Sequence, residues 1–273
     1  MERHEELWDV FSRWRAERRR FVLASVIESR GFTPRKPGAH MLIAEDGATV
    51  GTIGGGAIEH QVRENAARLF ESGGSSLVKR HLTQELGMCC GGEMAVFLEV
   101  LEPAPRLTIF GAGYIAAPLA RMAHDCGFEV TVVDAREEWA TAARFPHAGL
   151  VCRDPEAVSR ELAATGAEYA VVVTHDHAID QRVVQELLRK DLKFVGMVGS
   201  VPKQRKFALR LRSRGFSDAD IARLRCPLGV EIGAQTPEEI AVSIVGELVA
   251  ARRGVKLPEP WTPPVTGDLE VKP

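Results

Sequence analysis

A chain of 273 residues, 45% of them apolar, has material for two ordinary domains, each with a core of its own. A net charge of −2 and a pI near 6.5 exclude the basic excess that a nucleic-acid or anionic-membrane partner requires. No window reaches the roughly 20 apolar residues of a membrane span. The charged opening MERHEELWDV has no signal-peptide core, so the sequence predicts a cytoplasmic protein with reduced thiols.

The first region reads as mixed α+β. An amphipathic helix is predicted over 5–20, with the basic run Arg13–Arg20 on its solvated face. FVLASVIES (21–29) is an apolar, β-branched strand, and the turn GFTPRKPG follows it. AHMLIAEDG and ATVGTI pair as a hairpin through the Asp46–Gly47 turn. A glycine run then opens a helix over 57–71, and strands follow over 77–82 and 94–101. EPAPR, at 102–106, is the expected link, so the expected domains are 1–104 and 105–254, with a proline-rich tail over 255–273.

After the link the rhythm becomes strand–helix alternation. Strands are predicted over 107–110, 129–133, 150–151, 169–173 and 193–195, each followed by a helix. Such alternation predicts a Rossmann-like, doubly wound parallel sheet, and the overall class is α/β. The last helix has its start written out: Thr236 as cap, Pro237 at the first position and Glu239 closing a capping box, with Arg252, Arg253 and Gly254 at its end.

FGAGYIA places Gly111, Gly113 and Ala116 in a G-x-G-x-x-A pattern directly after a strand, and Asp134 ends the next strand. In that setting helix amides hold a diphosphate and the acid accepts from ribose hydroxyls. The bland alternative is glycine used only for tight strand-to-helix packing. THDHAID supplies His175 and Asp176, with His177 and Asp180, at another strand's carboxyl end. It reads as a ligand-contacting or helix-capping loop, its spacing matching no standard metal site. GMVGSVPKQRK, with Lys203, Arg205 and Lys206, is either an anion-receiving turn or a basic surface.

In the first region Gly54, Gly55 and Gly56 precede a helix carrying Glu59, and Arg35 and Lys36 lie one hairpin earlier. Three glycines in a row are costly unless the backbone needs positive φ or close approach. The reading is a phosphate cradle with Arg35 supplying charge, against a crowded turn. Five cysteines, an odd number, argue against a disulfide framework. Cys126, Cys152 and Cys226 are expected as small buried apolar residues. Cys89 and Cys90 stand directly before Gly91 and Gly92. No further Cys or His lies at zinc spacing, the pair is not C-x-x-C, and a nucleophile would need His81 or His175 as partner. Either the loop offers a soft thiolate, suited to a soft metal or to sulfur chemistry, or it holds two inert thiols.

Taken in order, GFTPRKPGAHML, GTIGGGAIE, LGMCCGGEMAVFLE, FGAGYIAAPLA through VTVVDAREEWATAARFP, and THDHAID through GMVGS to PLGVEIGAQTPEEIAVSIVGEL resemble the XdhC/CoxI family. These are accessory proteins of xanthine dehydrogenase-type molybdenum hydroxylases. The resemblance covers residues 21–254. It implies a chaperone that binds the molybdenum cofactor (molybdopterin), holds it for sulfuration with a cysteine desulfurase, and inserts it into the apo hydroxylase subunit. By position it implies cofactor contacts at Cys90, Gly91, Gly92, the Gly54–Gly56 loop, and Gly111, Gly113 and Ala116. On that resemblance Cys90 either ligates molybdenum, as the expected metal ligand, or shepherds the sulfur atom, and Cys89 either assists at the cofactor or merely packs. A homodimer is expected. The chain departs from the pattern at Phe32, Tyr114, Val201 and Pro202. The alternative is an NAD(P)-dependent oxidoreductase using the Rossmann-like domain, in which NAD(P) is the cofactor.

Overall fold

The computed structural model describes residues 2–82, 85 and 92–256. Cys89, Cys90, Gly91 and most of the expected tail therefore lie outside the described residues. The chain divides into two compact units, Met1–Pro103 and Ala104–Pro273.

Unit 1 runs α1 (Glu2–Ala16), β1 (Phe21–Arg30), β2 (His40–Ala44), β3 (Thr49–Gly51), α2 (Gly56–Ser72), β4 (Ser75–His81) and β5 (Glu93–Leu101). The strands form one antiparallel sheet in the order β3-β2-β1-β5-β4. Alternation along β1 explains its two coats. Val22, Ala24 and Val26 face α2, where Ile58, Val62, Ala66 and Leu69 close the main core with Val96 and Leu98 of β5. Phe21 points the other way, into a smaller cluster with Leu7, Val10 and Trp14 of α1 and Leu42 and Ala44 of β2. Trp14 meets Phe21 edge-on at 5.4 Å.

Unit 2 runs β6 (Arg106–Phe110), α3 (Ala116–Asp125), β7 (Glu129–Val133), β8 (Gly149–Val151), α4 (Pro155–Glu161), β9 (Tyr169–Val172), α5 (His177–Leu188), β10 (Phe194–Met197), α6 (Val201–Ser213), α7 (Asp218–Ala222), β11 (Leu224–Arg225) and α8 (Pro237–Arg253). Its six strands are parallel and ordered β11-β10-β9-β6-β7-β8, the two-winged order of dinucleotide-binding folds. β9 is buried on both faces: Tyr169 and Val171 join the core under α3 and α8, Ala170 and Val172 the core under α5 and α6. α8 starts on the Thr236–Glu239 capping box and ends at Gly254 in the left-handed region, φ 66°.

Three differences from the sequence reading stand out. No helix joins β7 to β8. Residues 135–148 form turns, because Asp134 accepts from the Arg136 amide and guanidinium, a local ring that competes with helix. α7 and the two-residue β11 were not foreseen. Cys126 and Cys152 are exposed, since each sits in the loop just past an element, while Cys226 is buried. Among the described residues no helix is long and apolar enough to cross a membrane.

Candidate functional site

In unit 1 the Thr-Pro-Arg turn, the triple-glycine loop and the root of the cysteine loop meet. A Cβ at Gly54 would lie 2.5 Å from Pro34 Cγ, so glycine is what lets the loop close on the turn. A Cβ at Gly92 would collide with the carbonyl oxygens of Arg30 and Phe32 and, at 2.7 Å, with Thr33 Cγ2. Gly54, Gly55 and Gly56 all have positive φ, 133°, 74° and 62°. The amides of Ile53 and Gly55 donate to Glu59 Oε1, at 3.1 and 2.9 Å, and the Thr52 hydroxyl donates to the same oxygen. Gly54 donates to Thr52 Oγ1 at 3.2 Å. Burial pushes the Glu59 carboxyl up, but the Thr52 hydroxyl, the two amides and Arg63 outweigh it and hold the pKa below the ordinary value. The loop thus carries its own anion.

Arg35 lies exposed on the turn, and its side chain has no hydrogen-bond or ion-pair partner among the described residues. Phe32, on the same turn, is 86% exposed. A cavity of about 290 Å³ at the ends of β4 and β5 is lined by Arg30, Lys79, Arg80, His81, Glu85 and Glu93 among others. The chain between His81 and Glu93 carries the two adjacent cysteines.

In unit 2 the predicted residues collect at the carboxyl ends of β6, β7 and β9, where the winding reverses. Gly111 has φ 110°, and a Cβ there would meet Val173 O at 2.6 Å and Thr174 Cα at 2.8 Å. This glycine is required by the protein itself. Gly113 differs, with Val173 O at 4.0 Å the sole neighbour a Cβ would find. Ala116 is buried in the first turn of α3. Asp134 is 3% exposed. Its Oδ2 accepts from Ala112 N and Arg136 Nη2, both at 2.7 Å, and its Oδ1 from Arg136 N at 3.0 Å and Nε at 2.9 Å. Burial pushes this carboxyl up too, and the Arg136 fork with the Ala112 and Arg136 amides more than reverses it.

His175 and Asp176 are exposed at the start of α5, and Asp176 caps that helix by accepting from Ala178 N. Lys203 is turned inward: its Nζ donates to Asp180 Oδ2 at 2.8 Å and to Val198 O at 2.9 Å. Thr174 Oγ1 donates to Asp180 Oδ1 at 2.6 Å, so the segments that follow β9 and β10 are tied at one carboxylate. Burial pushes the nearby Cys226 thiol up to about 11, leaving it protonated near neutrality. No group of three or more His, Cys, Asp or Glu able to hold a metal occurs among the described residues.

Sequence reasoning passed over three residues here. Trp139 is flanked by the guanidinium carbons of Arg136 at 4.9 Å and Arg144 at 4.8 Å, and Tyr114 meets it edge-on at 5.3 Å. Arg144 donates to the carbonyls of Ala112 at 2.7 Å, Trp139 at 2.6 Å and Gly113 at 3.2 Å. Arg136 had one signal, a basic residue two places after the strand-ending acid. Arg144 had none, because its partners lie up to 32 residues away.

Residues 107–248 match the family model described as the XdhC Rossmann domain, and residues 14–80 the one described as the XdhC and CoxI family. The chain is 32% identical over 238 residues to the uncharacterized protein YqeB of Escherichia coli (strain K12), a match covering 85% of this chain and 43% of YqeB, so it spans less than half of that relative. It is 27% identical to a probable subunit of xanthine dehydrogenase from Bacillus subtilis (strain 168), over 86% of this chain and 94% of that one. It is 23% identical to the molybdenum cofactor insertion chaperone PaoD of Escherichia coli (strain K12), over 85% of this chain and 83% of PaoD.

Proposed function

The chain belongs to the XdhC and CoxI family, and on that premise we propose that it is an accessory chaperone that holds the molybdenum cofactor as cargo for a xanthine dehydrogenase-type molybdenum hydroxylase. The observation that carries this reading is the meeting of the Thr-Pro-Arg turn, the glycine loop and Gly92 in unit 1. Gly92 has no room for a side chain, so the cysteine loop is rooted against the turn that carries Arg35. A thiolate at Cys90 is a soft donor suited to molybdenum or to sulfur handling. Arg35, exposed and unpaired among the described residues, supplies the charge that a pterin phosphate needs. The named relatives support the same reading, one as a probable subunit of xanthine dehydrogenase and one as a molybdenum cofactor insertion chaperone.

In this reading the cargo receives its terminal sulfido ligand from a cysteine desulfurase while the chaperone holds it, and the apo hydroxylase subunit takes it over. The working form is a homodimer. The test is retention of cargo. Protein mixed anaerobically with the cofactor and then desalted should keep near-stoichiometric molybdenum and pterin, and Cys90→Ala should lose both. Retention by both proteins would remove Cys90 from the site. No retention by the parent would overturn the carrier reading.

A further inference from the structure

The strand order of unit 2 and its glycine loop imply a dinucleotide, and the residues present do not fit one whose adenosine ribose is free. That ribose is read by a carboxylate accepting from its hydroxyls. Here both oxygens of Asp134 are already taken, by one backbone amide of the glycine loop and by the fork and amide of Arg136. With the side chain 4% exposed, the carboxylate presents no surface to a ribose diol.

What the loop presents instead is cationic and aromatic. Nη1 of Arg136 has no acceptor among the described residues, and the side chain is 26% exposed. Arg144 bonds only to carbonyl oxygens, so its charge is not neutralised by any described carboxylate partner. It sits against the carbonyls of Ala112 and Gly113 and makes the loop positive from within. Glu138 acts on Arg136 at longer range and makes no hydrogen bond to it. Tyr114, 73% exposed, stands beside Trp139 as a face for a planar base.

Gly113 adds an independent argument. Its φ lies outside the left-handed region, and a Cβ would touch only Val173 O at 4.0 Å. Neither conformation nor packing within the unit requires glycine there. Close approach by a bound molecule does.

We infer that this loop receives a nucleotide whose adenosine ribose carries a 2′-phosphate, that Arg136 reads that phosphate, and that the free ribose diol is not read. A guanidinium lying over an indole and braced by a carboxylate is a preorganised donor for a phosphate monoester. The inference goes beyond the cargo reading and stands apart from it, because it concerns unit 2 and a nucleotide.

The test is calorimetric titration of the full chain with NADP⁺ and NAD⁺, and with the fragments 2′,5′-ADP and 5′-AMP. NADP⁺ should bind at least about tenfold tighter than NAD⁺, with the same ordering for the fragments. Arg136→Ala should bring the ratio to about one. Since that variant leaves a buried carboxylate without its partner, Arg136→Lys is the second probe: it keeps the charge, loses the fork and should lower the ratio without abolishing it. Asp134→Asn separates the two roles of the acid. If Asp134 acts through Arg136 and reads no ribose, folded variant protein loses NADP⁺ affinity and keeps whatever NAD⁺ affinity the parent has. The inference is overturned if NAD⁺ binds as tightly as NADP⁺, or if neither nucleotide binds. It is equally overturned if folded Arg136→Ala or Arg136→Lys keeps the parent ratio, or if folded Asp134→Asn loses more affinity for NAD⁺ than for NADP⁺.

Discussion

The two glycine loops of this protein look alike in sequence and are held together in opposite ways. Each follows a strand and opens a helix, and in each a carboxylate collects backbone amides. In unit 1 the carboxylate is Glu59, from the helix the loop itself opens, and it satisfies the loop four and six residues upstream. In unit 2 it is Asp134, from the neighbouring strand, locked by Arg136 and reaching a single loop amide 22 residues away. The first loop is closed by local means, and its glycines answer to φ and to Pro34. The second is braced from outside, and one of its glycines answers to nothing in the protein. A glycine-rich loop is therefore not one kind of evidence: a ligand is indicated only where the fold leaves the glycine unexplained.

The comparison breaks most visibly at the glycines the fold does require. Gly54→Ala places a methyl 2.5 Å from Pro34 Cγ at φ 133°. Gly111→Ala places one 2.6 Å from Val173 O at φ 110°. Each should cost about 2–4 kcal/mol in urea unfolding, the range of a strained backbone with a steric clash added. A cost below about 1 kcal/mol at either position would show that the backbone there yields and that glycine was not compelled.

Asp134→Asn comes next. It strips the charge from a pair with one partner buried and the other a quarter exposed, and about 2 kcal/mol is expected once solvent screening at Arg136 is allowed for. Glu59→Gln should cost less, about 1 kcal/mol, because the amide oxygen still accepts from the loop. Both carboxyls have folded pKa values below their unfolded ones. Their contribution is therefore fully present above the unfolded pKa and is lost as pH falls through the folded one. Each variant should flatten the fall in stability on the acid side and leave the neutral-to-alkaline range parallel to the parent. An unchanged acid limb would mean that the carboxylate bonds contribute nothing to folding.

Much of this was legible in the residues. The period-two pattern of 21–30, the continuous apolar run of 169–172 and the capping box at Thr236 each lie within one element, so local physics decides them. The expected helix after Asp134 failed because a side chain captured the backbone first, and β11 is too short to carry a pattern. For the site, the glycines could be found but not sorted. Whether Gly54 serves φ, Pro34 or a ligand depends on a residue 20 positions away. That Asp134 is spent on Arg136 is likewise a matter of geometry: the same two residues could have stood apart. Cys126 and Cys152 show the same limit, since exposure of a small apolar residue at an element's end is set by what packs over it.

The smallest expected change in stability sharpens the comparison furthest. Gly113→Ala adds a methyl at ordinary φ whose nearest protein atom is 4.0 Å away. The exchange should shift unfolding by no more than about 0.5 kcal/mol, with either sign, because alanine also narrows the unfolded ensemble. If the space over Gly113 belongs to a phosphate, the same methyl should weaken NADP⁺ binding by about tenfold or more, since the backbone can no longer approach the ligand. Gly55→Ala is the counterpart in unit 1. A Cβ there also meets open space, but φ is 74°, so it should lose stability for conformational reasons alone. A Gly113→Ala protein that keeps both its stability and its nucleotide affinity would leave this glycine with no physical reason, and would remove the argument by which the second loop is set apart from the first.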